Sequence, residues 1–218
     1  MNPGFAQLLA AVGAGVSSGV EHVAVSESVD VSQFVTDANF ESAGWGRPAN
    51  DPGHEEAVTA GMVVFAEAVD LLGRLLGVEV DETRCEVEFA HATEDLDVPG
   101  LHIPRGHVAG MDVNWLGFVG GREVVALRQR WLASDRIEPA WKVEHGYLVE
   151  VRGDPNLRLR LEIWPTEEDL SHLDKATMHG IGMRITAVPV VNAIPAVCDA
   201  APGIATYADL PVITSPLR

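Results

Sequence analysis

The side chains best suited to chemistry in this sequence stand together on one loop. Trp45 and Arg47 lie between glycines and a proline in the segment Gly44–Pro48. A planar guanidinium binds a carboxylate through two parallel hydrogen bonds, and loops often carry ligand contacts. The pattern is typical of a loop that closes over an acidic ligand. A tryptophan that packs on the edge of a domain fits it equally well.

Histidines form a second candidate group. His91, His102 and His107 occur near Asp95 and Asp97. A metal site needs three or four converging ligands, and this spacing fits no established ligand pattern. The sequence therefore predicts histidines on solvated loops and no metal. Because imidazole titrates near neutrality, one of them could bind substrate or donate a proton, and we keep His107 as that candidate.

Glycines at 13, 15 and 19 resemble part of a dinucleotide-binding fingerprint. That fingerprint requires a strand before the glycines and a helix after them, so that the helix N-terminus can hold the pyrophosphate. Here an amphipathic helix comes first and a strand follows, which favours a helix end over a phosphate site. The sequence also has no Gly-x-Ser-x-Gly motif and no Walker loop. It identifies no complete catalytic set.

Composition narrows the possible partners. The 218 residues include 32 acidic and 15 basic side chains, for a formal charge of −17. Such a charge repels phosphate backbones, so neither nucleic acid nor an anionic membrane is an expected partner. Apolar stretches are interrupted before the roughly 18 residues that a membrane span needs. Cys85 and Cys198 form no disulfide framework, and we expect a cytoplasmic protein.

The periodicity of apolar residues predicts three helices. The first begins at Phe5, the second carries its apolar positions from Val58 to Leu76, and the third begins near Leu173. Pro189 and Pro195 are expected to kink or split the third helix. Residues 37–53 are rich in Gly, Pro, Asn and Asp and predict a loop.

Strands dominate the middle of the chain. Alternation predicts strands at 21–30, 85–89, 108–119, 123–132, 141–151 and 157–163, with a hairpin turn at Gly120-Gly121. Consecutive strands without regular βαβ alternation indicate the α+β class. We expect a mixed, largely antiparallel sheet with helices packed on one face, no Rossmann domain, and one domain over residues 1–218.

The two ends of the chain resemble a known family. The tail, from Val190-Val191-Asn192-Ala193-Ile194-Pro195 to Tyr207-Ala208-Asp209-Leu210-Pro211, resembles the C-terminal signature of the dihydrodipicolinate reductase-like superfamily. Its closest branch is the one containing 2,4-diaminopentanoate dehydrogenase. The head, Asn2-Pro3-Gly4-Phe5, is similar to the loop where these proteins cross from the nucleotide-binding domain into the C-terminal domain. Gly44-Trp45-Gly46 resembles their glycine-flanked aromatic loop.

The resemblance implies the substrate-binding and oligomerisation domain of an NAD(P)-dependent amine or imine oxidoreductase. It places Asn2 and Phe5 toward the nicotinamide end of the cleft and Asn192 in the tail motif. The implied substrate is a small amino or imino acid, and the implied assembly is a homodimer or homotetramer. The His-His-x-x-x-Lys segment of true dihydrodipicolinate reductases has no counterpart here, so we do not expect that reaction.

In the family, the Rossmann domain lies ahead of the Asn-Pro-Gly-Phe loop. We therefore expect NAD or NADP to be held by a separate Rossmann-domain partner or by a longer protein, and we expect this chain alone to be inactive and not to bind the nucleotide. The competing hypothesis is a stand-alone small-molecule-binding or scaffold protein that kept the fold without the chemistry.

Overall fold

The computed structural model of the chain describes residues 1–2, 4–33, 44–98 and 100–215. The elements in chain order are α1 (Phe5–Ala14), β1 (Ser18–Asp30), a 3-10 turn (Val31–Gln33), α2 (His54–Gly61), α3 (Val64–Leu75), β2 (Glu82–Ala92), β3 (Leu96–Val98), β4 (Leu101–Ile103), β5 (Val108–Val119), β6 (Arg122–Leu132), β7 (Ile137–Glu138), β8 (Gly146–Asp154), β9 (Leu157–Leu161), α4 (Glu167–Ser171) and α5 (Lys175–Asp199).

Seven strands form one sheet in the order β7-β2-β5-β6-β1-β8-β9, and β3 pairs with β4 separately. Strands β1 and β6 run parallel, while the other neighbours in the sheet run antiparallel. Gly120 and Gly121 have positive φ angles and turn the chain from β5 into β6, as predicted. The expected α+β class and the mixed, largely antiparallel sheet are confirmed.

Alternation along the strands gives the sheet two different faces. On one face Val23, Val25, Leu127 and Val113 are buried, and α1, α2 and α3 pack against this side. Successive side chains of a strand point to opposite faces, so the residues between them lie on the other side of the sheet. The expectation that helices cover one face is confirmed.

The other face, which we call the open face, carries charge. Six of the chain's 15 basic side chains lie on it, namely Arg84, Arg128, Arg130, Arg152, Arg158 and Arg160. Its acidic side chains include Glu86, Glu88, Asp112 and Glu150. A small apolar cluster of Ala24, Leu116, Phe118 and Ala126 lies between them. A groove of about 610 Å³ crosses this face.

Some boundaries differ from the sequence predictions. The second helix is divided, with α2 ending at Gly61 and α3 beginning at Val64, because glycine is a poor helix former. The last helix runs unbroken through Pro189 and Pro195, so the prediction of a split was wrong. Since α5 is largely exposed, solvent can bind the carbonyl groups that the prolines leave unpaired. The strand predicted at 141–151 begins only at Gly146.

We expect Gly117→Ala to destabilise the fold, because α3 packs directly against β5 there. A Cβ at Gly117 would lie 2.6 Å from both Val69 Cγ1 and Val125 Cγ2. Overpacking of this kind costs about 1–3 kcal/mol. Urea unfolding measures the change. Gly61→Ala is the matched control, because nothing lies within 4 Å of the place its methyl group would occupy and alanine favours helix. Equal stability of the two variants would contradict this packing argument.

Candidate functional site

A single carboxylate accepts hydrogen bonds from polar side chains at the head of the chain. Glu27, near the end of β1, accepts a 2.7 Å hydrogen bond from Asn2 Nδ2 and a 3.3 Å hydrogen bond from Trp131 Nε1. Tyr147 is its cross-strand neighbour on β8. A carboxylate offers about four lone-pair positions, so these two donors leave positions open for a further partner.

A chain of hydrogen bonds connects the head loop to this carboxylate. Asn2 Oδ1 accepts a 2.8 Å hydrogen bond from Gln7 Nε2, and Gln7 Oε1 accepts one of 2.8 Å from the backbone N–H of Gly4. Gln7 is fully buried, which strengthens bonds that solvent would otherwise compete for. The chain of hydrogen bonds from Glu27 to Gly4 therefore fixes the first turn of the protein.

An unpaired amide lies beside the carboxylate. Gln129 of β6 is the register partner of Glu27, and it is fully buried. Among the residues that the structure describes, neither Oε1 nor Nε2 of Gln129 has a hydrogen-bond partner. Parallel neighbours on one sheet face are about 4.8 Å apart, so the amide and the carboxylate adjoin. A buried amide without partners costs free energy unless water or a ligand satisfies it.

The ionisable groups around Glu27 respond to its charge. Burial raises the pKa of Tyr147 well above its usual range, and the Glu27 carboxylate raises it further. Tyr147 therefore stays protonated. Burial lowers the pKa of the Met1 amino group, while Glu27 acts in the opposite direction.

The loop residues predicted from sequence meet at a second place. Trp45 is only 5% exposed and belongs to the core, so it is a packed tryptophan in this conformation. Arg47 Nη1 lies 3.3 Å from Asp51 Oδ2. His107 Nδ1 is 2.7 Å from the carbonyl oxygen of Gly46, and a β-bridge joins His107 to Pro48. This loop therefore lies along the start of β5.

His54 packs against the same loop. It is 4% exposed and its ring stacks on Phe89, with centroids 4.4 Å apart. A Cβ at Gly44 would lie 2.2 Å from His54 Nε2, so only glycine allows this contact. Burial is the main cause that lowers the pKa of His54, and the nearby Arg47 guanidinium lowers it further.

The remaining predicted residues lie elsewhere. Phe5 is half-buried at the start of α1, close to Asn2 in sequence. Asn192 is half-buried on α5. His102 Nδ1 lies 2.7 Å from Asp97 Oδ1, a pair within the β3–β4 hairpin. Over the described part of the chain no group of three or more His, Cys, Asp and Glu side chains could hold a metal ion. The part of the predicted loop at 37–43 lies outside the described residues.

Sequence reasoning missed Glu27 and Gln129. Both sit at positions whose neighbours two residues away are buried and apolar, Val25 in one case and Leu127 in the other. A polar residue on the buried side of a strand needs a partner, and this was the signal available. Once the strand register is known, the alternation of side chains also places Trp131 and Tyr147 on the same face of the sheet as Glu27.

Comparison with known proteins identifies a family and structures with a similar fold. The family model described as the 2,4-diaminopentanoate dehydrogenase C-terminal domain matches residues 6–217. No curated protein matches the chain. A solved structure, the amine dehydrogenase from Mycobacterium smegmatis, is similar at 19% identity with a TM-score of 0.49. The match covers 95% of this chain and spans only 56% of the length of that one.

We expect stability to fall as the pH drops below about 6.5, the usual pKa of histidine in an unfolded chain. His54 and His22 have lowered pKa values in the folded state, mainly through burial. Between the folded and unfolded pKa values the unfolded chain binds protons that the folded chain does not, so lower pH favours unfolding. Urea unfolding from about pH 7.5 to about pH 5, a range that brackets the ordinary histidine pKa, measures the slope.

The variant His54→Gln is expected to make this pH dependence shallower without removing it, because His22 still contributes. The matched control is His102→Gln, on an exposed histidine with a side chain 57% accessible. If His54→Gln left the slope equal to that of the unmodified chain, the buried imidazole would not be the titrating group.

Proposed function

We propose that this chain, which belongs to the 2,4-diaminopentanoate dehydrogenase C-terminal domain family, is the substrate-binding domain of an NAD(P)-dependent amine or imine oxidoreductase. Its substrate is a small amino or imino acid. The observation that carries the proposal is the Glu27 carboxylate, which two donors, Asn2 and Trp131, orient at the head of the chain.

The geometry around Glu27 suits a protonated amine. An ammonium group has three N–H donors and no acceptor, so it needs several oxygen atoms in one place. Glu27 offers the lone-pair positions that Asn2 and Trp131 leave open, and Gln129 offers an amide oxygen without a partner among the described residues. Asn2 and Trp131 hold the carboxylate in place, and Tyr147 lies beside it.

The head loop links this amine site to the cofactor. NAD or NADP, bound by a Rossmann-type domain, supplies or accepts the hydride. Asn2 and Phe5 lie where the family resemblance puts the nicotinamide end of the cleft. Because Glu27 holds Asn2 directly, the residue that binds the amine also positions the loop toward the cofactor. Without that second domain we expect neither nucleotide binding nor turnover.

We assign the acidic end of an amino acid substrate to the Trp45 loop. Arg47 is 40% accessible and bound to Asp51 at 3.3 Å, a distance typical of a weak surface pair that a ligand carboxylate can replace. His107 stands beside it and is the candidate proton donor. Asn192 supports the cleft from α5.

The open face of the sheet supports assembly into a homodimer or homotetramer. Acidic side chains lie on β2 and β5 at one side, and Arg158 and Arg160 lie on β9 at the other. A second copy turned by 180° would place its acidic side over the basic side of the first, and such isologous pairs are the commonest protein assemblies. We place the assembly in the cytoplasm, since neither Cys85 nor Cys198 forms a disulfide.

The alternative function is a stand-alone binding protein. The observation in its favour is the groove of about 610 Å³ on the open face, which is lined mostly by polar and charged side chains, Glu27 and Tyr147 among them. Binding of a small zwitterion there by the isolated chain, insensitive to substitution of Glu27, would favour this alternative.

Glu27→Gln tests the proposed amine site. Titration with isopropylammonium chloride, followed by the indole N–H resonance of Trp131, should give a saturable shift in the unmodified chain. The variant keeps the shape of the side chain but loses its charge, and we expect the affinity to fall about tenfold or more. Glu150→Gln, on a half-buried carboxylate of the open face, is the control. An equal shift with tetramethylammonium chloride, or in the variant, would contradict the proposal.

Light scattering tests the assembly. The unmodified chain should have the mass of a dimer or tetramer, and Arg128→Glu on the open face should lower the mass, because it places an acid among acids. Arg136→Glu, at an exposed site paired with Glu94, is the matched control and should leave the mass unchanged. A monomer in the unmodified chain would count against assembly through this face.

A further inference from the structure

A second depression on the open face, which we call the basic hollow, lies across the neighbouring strands β6, β1, β8 and β9. Its volume is about 470 Å³. The charged and titratable side chains that line it are His22, Arg128, Glu150, Arg152 and Arg158. Three arginines against a single glutamate make the hollow positive, in a chain whose formal charge is −17. Such a local excess of positive charge attracts anions.

The strand register explains the shape of the hollow. Arg128 of β6 lies beside Ser26 of β1. Arg152 of β8 lies beside His22, farther back on β1. Ala24 is two residues from Ser26 and two from His22, and residues at this spacing share one face of a strand. The small side chain of Ala24 therefore forms a floor between the two long arginines.

Two of the three guanidinium groups have no acid partner. Arg158 Nη2 lies 2.6 Å from Glu150 Oε1, so this pair is satisfied within the hollow. Over the described residues, the side chains of Arg128 and Arg152 form neither a hydrogen bond nor an ion pair. The chain has 32 acidic side chains for 15 basic ones, so carboxylates are plentiful. Two neighbouring arginines without one are open to an anion from outside.

His22 responds to the charge of both arginines. It is 7% exposed, and its Nε2 lies 2.8 Å from Glu123 Oε1. Burial is the main cause that lowers the pKa of His22, and the hydrogen bond with Glu123 raises it. The guanidinium groups of Arg152 and Arg128 lower this pKa further. Both positive charges thus act at the wall of the hollow, where a bound anion would offset them.

We propose that the basic hollow binds a small dianion, either a dicarboxylate or a phosphate ester, between the guanidinium groups of Arg128 and Arg152. Guanidinium binds carboxylate and phosphate through two parallel hydrogen bonds, so two such groups on either side of Ala24 match two negative charges. The site goes beyond the proposed function, because Glu27 belongs to the helix-covered face and does not line the hollow.

A second copy of the chain is the competing partner for these arginines. The floor residue Ala24 is only 2% exposed, because the long side chains around it project above it. Sites for small molecules are concave in this way, and a small ion can reach such a floor whereas a whole strand cannot. The shape of the hollow therefore favours a small anion.

Calorimetric titration at constant ionic strength tests the site, with sodium malonate as the dicarboxylate and sodium methyl phosphate as the phosphate ester. At least one should bind saturably with one ligand per chain, and whichever binds more tightly identifies the class of dianion. Sodium acetate, with a single charge, should bind about tenfold or more weakly. Arg152→Gln should weaken the tighter dianion by about tenfold or more, because the variant loses a charge-assisted pair.

Arg105→Gln is the matched control. Arg105 is an exposed arginine on the turn before β5, and its side chain also lacks an acid partner within the described chain. This variant should bind the dianion as the unmodified chain does. Circular dichroism of Arg152→Gln should be unchanged, because Arg152 is exposed. The pKa of His22, followed by its ring proton resonances, should rise when the dianion is saturating.

Three results would overturn the inference. The first is the absence of saturable binding, or binding that Arg152→Gln leaves unchanged. The second is binding to phosphatidylcholine–phosphatidylglycerol vesicles that Arg152→Gln abolishes, which would assign the hollow to a lipid headgroup. Vesicles are included because the helix Ala176–Asp199 has the length and composition of a membrane span. The third is a lower mass of Arg152→Gln in light scattering without any dianion binding, which would assign these arginines to contacts between copies.

Discussion

The alternation of side chains along the seven strands constrains everything else in this molecule. Because helices cover one face, each residue on that face must be apolar or must find a polar partner inside. Most satisfy the first condition, as Val23, Val25 and Leu127 do. Glu27 satisfies the second, and its partners are Asn2 and Trp131. The candidate site thus exists because Glu27 occupies a position on the helix-covered face, where the other strand residues are mostly apolar.

The two candidate groups differ in rigidity. Glu27 is attached to strands at the centre of the sheet, so its position is set by the ladder of β1, β6 and β8. Arg47 is attached to a loop and held by an exposed ion pair, so its side chain can move at small cost. His54 stabilises that loop through stacking and burial, and burial lowers its pKa. In the function we propose, a fixed amine site and a movable carboxylate site would suit substrates that share an amino group and differ in length.

Sequence reasoning predicted the class of fold because period-two alternation is strong in β2 and β9, and turn glycines mark the hairpin between β5 and β6. It did not give the pairing of β1 with β6, since such a contact depends on folding of the whole chain. For the same reason it found Asn2 and His107 individually but could not say that Asn2 binds Glu27. It also predicted a kink or split at Pro189 and Pro195, because propensity alone does not register that solvent can satisfy the freed carbonyl groups of an unbroken α5.

The parallel pairing of β1 with β6 has a consequence for how the chain is made. Strand β1 has β6 on one side and β8 on the other, so its nearest partner begins about a hundred residues later, at Arg122. During synthesis the ribosome releases β1 and α1 well before either partner exists. The valines of β1 therefore remain without a partner strand while α2, α3, β2 and β5 are synthesised. This order makes folding slow and leaves an unpaired strand edge exposed. A chain built in this order gains from chaperones or from any early neighbour that covers that edge.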